Sequence, residues 1–132
     1  MKLSFTFPKI ERLKSRKQIA RLFDTGQSQF IFPFKLLFII DKATNDKPAY
    51  LQFTVSIPKK KIKKATKRNL IKRRTREAYR LNKSNLLKKL EADKNHKISL
   101  MFIYIDEEVK DYTLIEKSII GHLNKLTNAL DF

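Results

Sequence analysis

Lys59–Arg80 reads KKKIKKATKRNLIKRRTREAYR, in which twelve of twenty-two side chains are cationic and one, Glu77, is acidic. Such a run repels itself in isolation, so its presence in a folded chain points to a partner with regularly spaced negative charge, of which nucleic acid is the commonest. The segment holds no Gly or Pro and is rich in Lys, Arg and Leu, which predicts a helix continuing to about Leu90, with Thr66 as one candidate cap. At roughly 100° per residue, Leu70, Ile71, Ala78 and Leu81 share one arc, and Arg68, Asn69, Lys72, Arg73, Arg76 and Arg80 share the opposite one. Lys67 and Arg74 project near the apolar arc, so their methylenes must carry the charged heads out to water.

A helix face that only meets solvent intersperses Glu with Lys. Here Arg68, Lys72 and Arg76 stack like charges at i,i+4, each pair costing a few tenths of a kcal/mol. Cations near the helix start also oppose its dipole, at roughly 0.3–1 kcal/mol each at low salt. Local stability yields to cation density, and a polyanion partner accounts for that. Arginine forks engage phosphate oxygens in pairs, while Asn69 can both donate and accept, as reading a ribose hydroxyl or base edge requires.

Outward from this helix, residues 50–57 alternate, with Leu51, Phe53, Val55 and Ile57 on one face and Gln52, Thr54 and Ser56 on the other, and Pro58 ends the strand. Phe34–Ile40 reads as a buried strand before the turn-rich DKATNDKP. Ser15 with Gln18 has capping-box spacing, Ile19, Leu22 and Phe23 recur at helical spacing, and Gly26 supplies a stop, giving a helix over about 15–25. On the far side, Ile98–Ile105 reads as a strand covered on both faces. Thr113 with Glu116 suggests a capping box for a last helix that buries Ile115, Ile119, His122, Leu123, Leu126 and Leu130. The expected fold is α+β: one domain over 1–132, an α/β sandwich in the order α-β-β-(β)-α-β-α with a mixed sheet.

The charge is localised. Residues 59–90 carry fifteen basic groups against one acidic, whereas 91–132 carry five against eight, within a net charge of +17. With 132 residues and 42% apolar content the chain can bury one real core. The absence of cysteine excludes a disulfide framework or thiolate metal site and suits a reducing compartment, so a cytoplasmic location is expected. Phe30–Ile40 and Leu100–Ile105 fall far short of the ~20 apolar residues of a spanning helix, and MKLSFTFPKIER lacks a signal-peptide core, so no membrane partner is expected.

Arg68-Asn69-x-x-Lys72-Arg73-x-x-Arg76-Glu77, preceded by Lys59-Lys60 and Ala65 and followed by Arg80, resembles the signature of the bacterial ribonuclease P protein component. Arg12-Leu13-Lys14, Phe23 and Gly26 resemble that family's opening helix, and the order of elements extends the likeness over nearly the whole chain. The resemblance implies an accessory subunit of an endoribonuclease that removes the 5′ leader of precursor transfer RNA, with catalysis coming from the RNA subunit and no catalytic protein residue. It implies one protein per RNA, magnesium held mainly by RNA, and no cofactor or metal held by the protein alone. Arg68, Asn69, Lys72, Arg73 and Arg76 are then RNA contacts, with Lys59, Lys60 and Arg80 in the same electropositive region. A leader cleft between the first helix and one sheet face draws on Phe23, Phe38 and Phe53, and a left-handed strand–helix–strand crossover is implied, against the usual hand. Two positions depart from the family pattern: Leu70 stands where Arg is usual, and Ile19 where an aromatic is frequent.

Other readings of the same residues are a ribosomal or general RNA-binding protein that uses the helix as an electrostatic clamp, a peripheral membrane protein on anionic lipid, and a stand-alone nuclease. The membrane reading suffers from the absence of Trp or Phe opposite the cations. The nuclease reading suffers from the lack of an acid, base or metal constellation. His96 and His122 have no ligand or general-base spacing to a partner, and Asp106, Glu107, Glu108 and Asp111 read as a solvated turn. Phe5, Phe7, Phe30, Phe32 and Phe34 interleave with basic residues but read chiefly as core.

Overall fold

The computed structural model describes residues 11–43 and 50–132. Phe5, Phe7 and most of the turn expected after the Phe34–Ile40 strand lie outside them. The elements are α1 (Arg16–Thr25), β1 (Gln27–Ile31), β2 (Phe34–Lys42), β3 (Leu51–Ser56), α2 (Ala65–Asn82), α3 (Ser84–Asp93), β4 (His96–Tyr104) and α4 (Tyr112–Ala129). Helix α1 starts as its sequence predicts, Ser15 Oγ accepting the Gln18 N–H at 3.2 Å. It stops where the Gly26 N–H donates to the Leu22 carbonyl at 3.0 Å. A Cβ at residue 26 would lie 2.4 Å from that oxygen, so the close approach requires glycine.

The strands form one mixed sheet in the order β1-β2-β4-β3. β1 and β4 both run antiparallel to β2, and β3 runs parallel to β4, joined to it through α2 and α3. This parallel pair fixes the cationic helix as the crossover, which lies across one face of the sheet. That face carries the main core: Phe34, Leu36, Phe38, Leu51, Phe53, Ile98, Leu100 and Phe102 meet Ile71, Ala78 and Tyr79 of α2 and Ile115, Ile119 and Leu123 of α4. Phe53 stacks on Tyr79, ring centres 4.1 Å apart. The opposite face carries a smaller core, in which Leu13 and Leu22 meet Leu37, Ile39 and Met101.

Three expectations are corrected. The long helix does not run unbroken to Leu90; it ends at Asn82, and Lys83 separates α2 from α3. The break falls in Asn82-Lys83-Ser84-Asn85, where Asn and Ser favour caps over helix interior, and the Lys83 side chain turns fully inward. Thr66 caps nothing, since Lys64 holds the N-cap position of α2 without a side-chain bond. Helix α4 is capped by Asp111, whose Oδ1 accepts the Leu114 N–H at 3.0 Å, in place of Thr113. Strand β1, paired along its length with β2, makes three strands before α2, so the optional strand of the expected order is present.

Candidate nucleic-acid interface

The inner face of α2 is Ile71, Thr75, Ala78 and Tyr79; Leu70 is half-buried and Leu81 is exposed, so the apolar arc lies slightly around the helix from where periodicity sets it. Thr75 satisfies its buried hydroxyl on the Ile71 carbonyl at 2.7 Å. Opposite, Asn69, Arg73 and Arg76 are exposed and share a groove of about 400 Å³ with Glu77 and Arg80. Arg80 closes a bidentate bond on Glu77, Nε to Oε2 at 3.1 Å and Nη2 to Oε1 at 2.5 Å, which holds the Glu77 carboxyl below its ordinary pKa. Lys72 lies half-buried on this side.

Arg68 behaves differently from its neighbours. Its Nη1 donates to the Ile62 and Lys63 carbonyls at 2.9 and 2.7 Å, so it ties the turn before α2 to the first turn of that helix. Arg74 carries its head out of the apolar arc to the Lys110 carbonyl at 2.7 Å. Lys59 and Lys60 are exposed in the turn after β3. Lys60 lines a second groove, on the Leu70 flank of α2, together with Lys61, Lys63, Lys64 and Lys67 on an apolar floor of Ile62, Leu70 and Val109. The residues singled out from sequence therefore divide between two flanks of one helix.

Strand register builds the other surface. Because side chains alternate across a sheet, Leu37 and Ile39 of β2 and Met101 of β4, which meet α1, place Ser99 and Ile103 on the same face, and their partners on β3 are Gln52, Thr54 and Ser56. Helix α1 covers β2 and β4, leaving the polar β3 column partly open. Gln18 Nε2 donates to Ser99 Oγ at 3.1 Å, and Arg21 grips Asp41 with two bonds of 3.0 and 2.9 Å. That guanidinium holds the Asp41 carboxyl below its ordinary range. The groove between α1 and the column has a volume of about 360 Å³. A neighbouring groove of about 320 Å³ is lined by Arg12, Lys14, Thr54 and Arg76, so the cationic helix face and the β3 edge meet there. Leu13 N–H donates to the Phe53 carbonyl at 2.9 Å, which fixes residues 12–14 along that edge.

This register corrects two cleft assignments. Phe38 and Phe53 are 8% and 2% exposed, on the sheet face turned toward α2 and α4, and neither ring can stack on a nucleotide. Phe23 is 62% exposed on α1, while Phe30 and Phe32 are also exposed instead of core. Tyr50, Gln52, Thr54 and Lys97 are cleft residues the sequence reading passed over. The signal was present in the β3 alternation, whose polar side must face away from the larger core.

His122, Asp106, Glu108 and Asp111 are used within the fold. His122 is buried, Nε2 3.0 Å from the Phe34 carbonyl and Nδ1 3.0 Å from Gln29 Nε2, and desolvation lowers its pKa. Asp106 and Glu108 face Lys110 at 3.3 and 3.4 Å, and Asp111 is the α4 cap. Among the described residues no group of three His, Cys, Asp or Glu could hold a metal ion, and no helix is long and apolar enough to cross a membrane.

Fold and surface define an α+β protein that presents a cationic helix beside grooves lined by polar and cationic side chains. The sequence pattern of the Ribonuclease P family matches residues 7–127. The ribonuclease P protein component of Porphyromonas gingivalis (strain ATCC 33277) is 31% identical over 116 residues, which are 88% of this chain and 82% of that one. The protein component of Rippkaea orientalis is 37% identical over 76 residues, 56% of this chain and 58% of its own. The RNase P protein of Thermotoga maritima superposes with a TM-score of 0.66 at 25% identity, covering 87% of this chain and 96% of that one. The Staphylococcus aureus protein superposes with 0.66 at 20% identity, covering 92% and 98%. The chain belongs to the ribonuclease P protein family, and as such it is a subunit of ribonuclease P, part of a holoenzyme that processes transfer RNA.

Proposed function

We propose that the chain binds the ribonuclease P RNA through α2 and the 5′ leader of precursor transfer RNA through the groove between α1 and β3. Asn69, Lys72, Arg73, Arg76 and Arg80 take phosphates and sugars of the RNA subunit, and Lys59 and Lys60 extend the contact around the helix start. Arg68 contributes by holding that start in shape. The observation that carries this reading is the groove lined by Arg76, Arg12, Lys14 and Thr54, which joins the cationic helix to the polar β3 column. A single strand leaving a helix-bound RNA would pass directly onto that column. Phe23, exposed on α1, supplies an apolar surface that a leader nucleotide can meet.

In this reading the RNA performs the cleavage with magnesium that it holds itself, while Asp106 and Asp111 of the protein serve as an ion-pair partner and a helix cap. One protein serves one RNA, in the cytoplasm, as a single folded domain. Reconstitution with a bacterial ribonuclease P RNA tests the proposal: the holoenzyme should bind precursor more tightly than mature transfer RNA, and the protein alone should cleave neither. Equal affinity for the two would favour a general electrostatic clamp instead.

A further inference from the structure

We infer that Tyr50 seats the base of one leader nucleotide on the ring face away from the Lys97 ammonium, which receives the adjoining phosphate. The inference rests on the leader path proposed above. Asp41 and Lys97 pair across β2 and β4, and Tyr50, one step before the paired end of β3, continues their row on the α1 face. Its carbonyl accepts the Ile98 N–H at 3.0 Å, which anchors the backbone, and Lys97 Nζ lies over one face of the ring, 5.3 Å from its centre. The half-buried ring borders the groove of about 360 Å³, whose opposite wall is Lys17, Gln18 and Arg21.

Two features select a nucleotide as the occupant. Tyr50 is the aromatic residue lining this groove, since Ile19 of α1 packs into the smaller core and Phe38 and Phe53 face the other way. Arg21 cancels the Asp41 carboxylate with two short bonds, so Lys17 and Lys97 leave the groove cationic. An aromatic face and a cation for phosphate are the elements of single-strand binding with modest base preference.

The test uses full-length protein, reconstituted with a bacterial ribonuclease P RNA, and precursor transfer RNAs whose leaders are trimmed one nucleotide at a time. Tyr50→Ala should weaken precursor binding by about 5- to 100-fold, the range of one missing stack. Mature transfer RNA affinity and assembly with the RNA subunit should stay at wild-type values, Tyr50→Phe should restore precursor binding, and the loss should vanish below one leader length. Tyr50→Leu keeps apolar bulk without a π face and must show the same loss, which covers the case in which alanine loosens the fold. If Tyr50→Leu leaves the precursor preference intact, or weakens precursor and mature RNA equally, the stacking role is wrong while the leader path stands. If wild-type holoenzyme shows no precursor preference, both fall.

Discussion

Lys83 Nζ lies 2.5 Å from Glu11 Oε1, and both side chains are withdrawn from water. The pair joins the end of α2 to the segment that runs along the β3 edge, so it positions Arg12 and Lys14 beside Arg76. Removing one member strands a buried charge, and Glu11→Gln or Lys83→Met should each cost about 3–5 kcal/mol in urea unfolding. Replacing both with apolar residues of similar volume should recover most of that loss. An additive double variant would argue against the pair acting as a unit.

Arg73 and Arg76 are exposed, so charge reversal at either should change stability by no more than about 0.5 kcal/mol while weakening binding to the RNA subunit. The logarithmic slope of affinity against salt should flatten by about 0.7–0.9 for each phosphate the variant no longer neutralises. Arg68→Glu should behave differently, lowering the thermal melting point as well, because it releases the Ile62 and Lys63 carbonyls. Indistinguishable salt slopes for wild type and Arg73→Glu would remove Arg73 from the interface.

Phe23→Ala and Phe53→Ala should part company. Phe23 is largely exposed, so its loss should leave the melt near wild type and lower affinity for leader-bearing precursor more than for mature transfer RNA. Phe53 fills the core against Tyr79, so its truncation should cost about 3–5 kcal/mol whatever RNA is present. Circular dichroism melts with parallel binding titrations read both outcomes.

His122 gives stability a pH dependence of definite sign. Burial holds its imidazole below the ordinary value of 6.5, neutral, with Nε2–H donated to the Phe34 carbonyl and Nδ1 accepting from Gln29. The unfolded chain takes up a proton that the folded chain refuses, so the contribution is complete above the unfolded pKa and is lost as pH falls through it toward the folded one. Urea titrations between about pH 7 and 5 should show stability falling, with a contribution from this group no steeper than about 1.4 kcal/mol per pH unit. His122→Gln should remove that contribution, and an unchanged slope would place its origin elsewhere.

Local pattern carried most of the fold. The α1 cap, the β3 alternation and the buried face of α4 each follow from spacing within one element, and the structure keeps them. The inward turn of Lys83 at the break is matched by Glu11, seventy-two positions away, and no window of sequence contains both. The optional strand of the expected order is β1, and its position was not legible because QSQFI lacks a clean alternation; as an edge strand it answers to one neighbour. For the site, helical periodicity separated the cationic face of α2, but it could not show that Arg68 folds back on its own turn. Phe38 and Phe53 were misplaced because the choice of sheet face requires knowing which side holds the larger core.

Helix α1 rests on the sheet through Leu22, with Ile19 at its margin, whereas α2 and α4 bury whole faces. Free energies of local opening follow apolar anchorage, so amide hydrogens of α1 should exchange with solvent well before those of the platform behind it. In the proposed assembly, a wall that yields while its foundation stays closed admits and releases a strand many times while the cationic helix keeps its register on the RNA subunit.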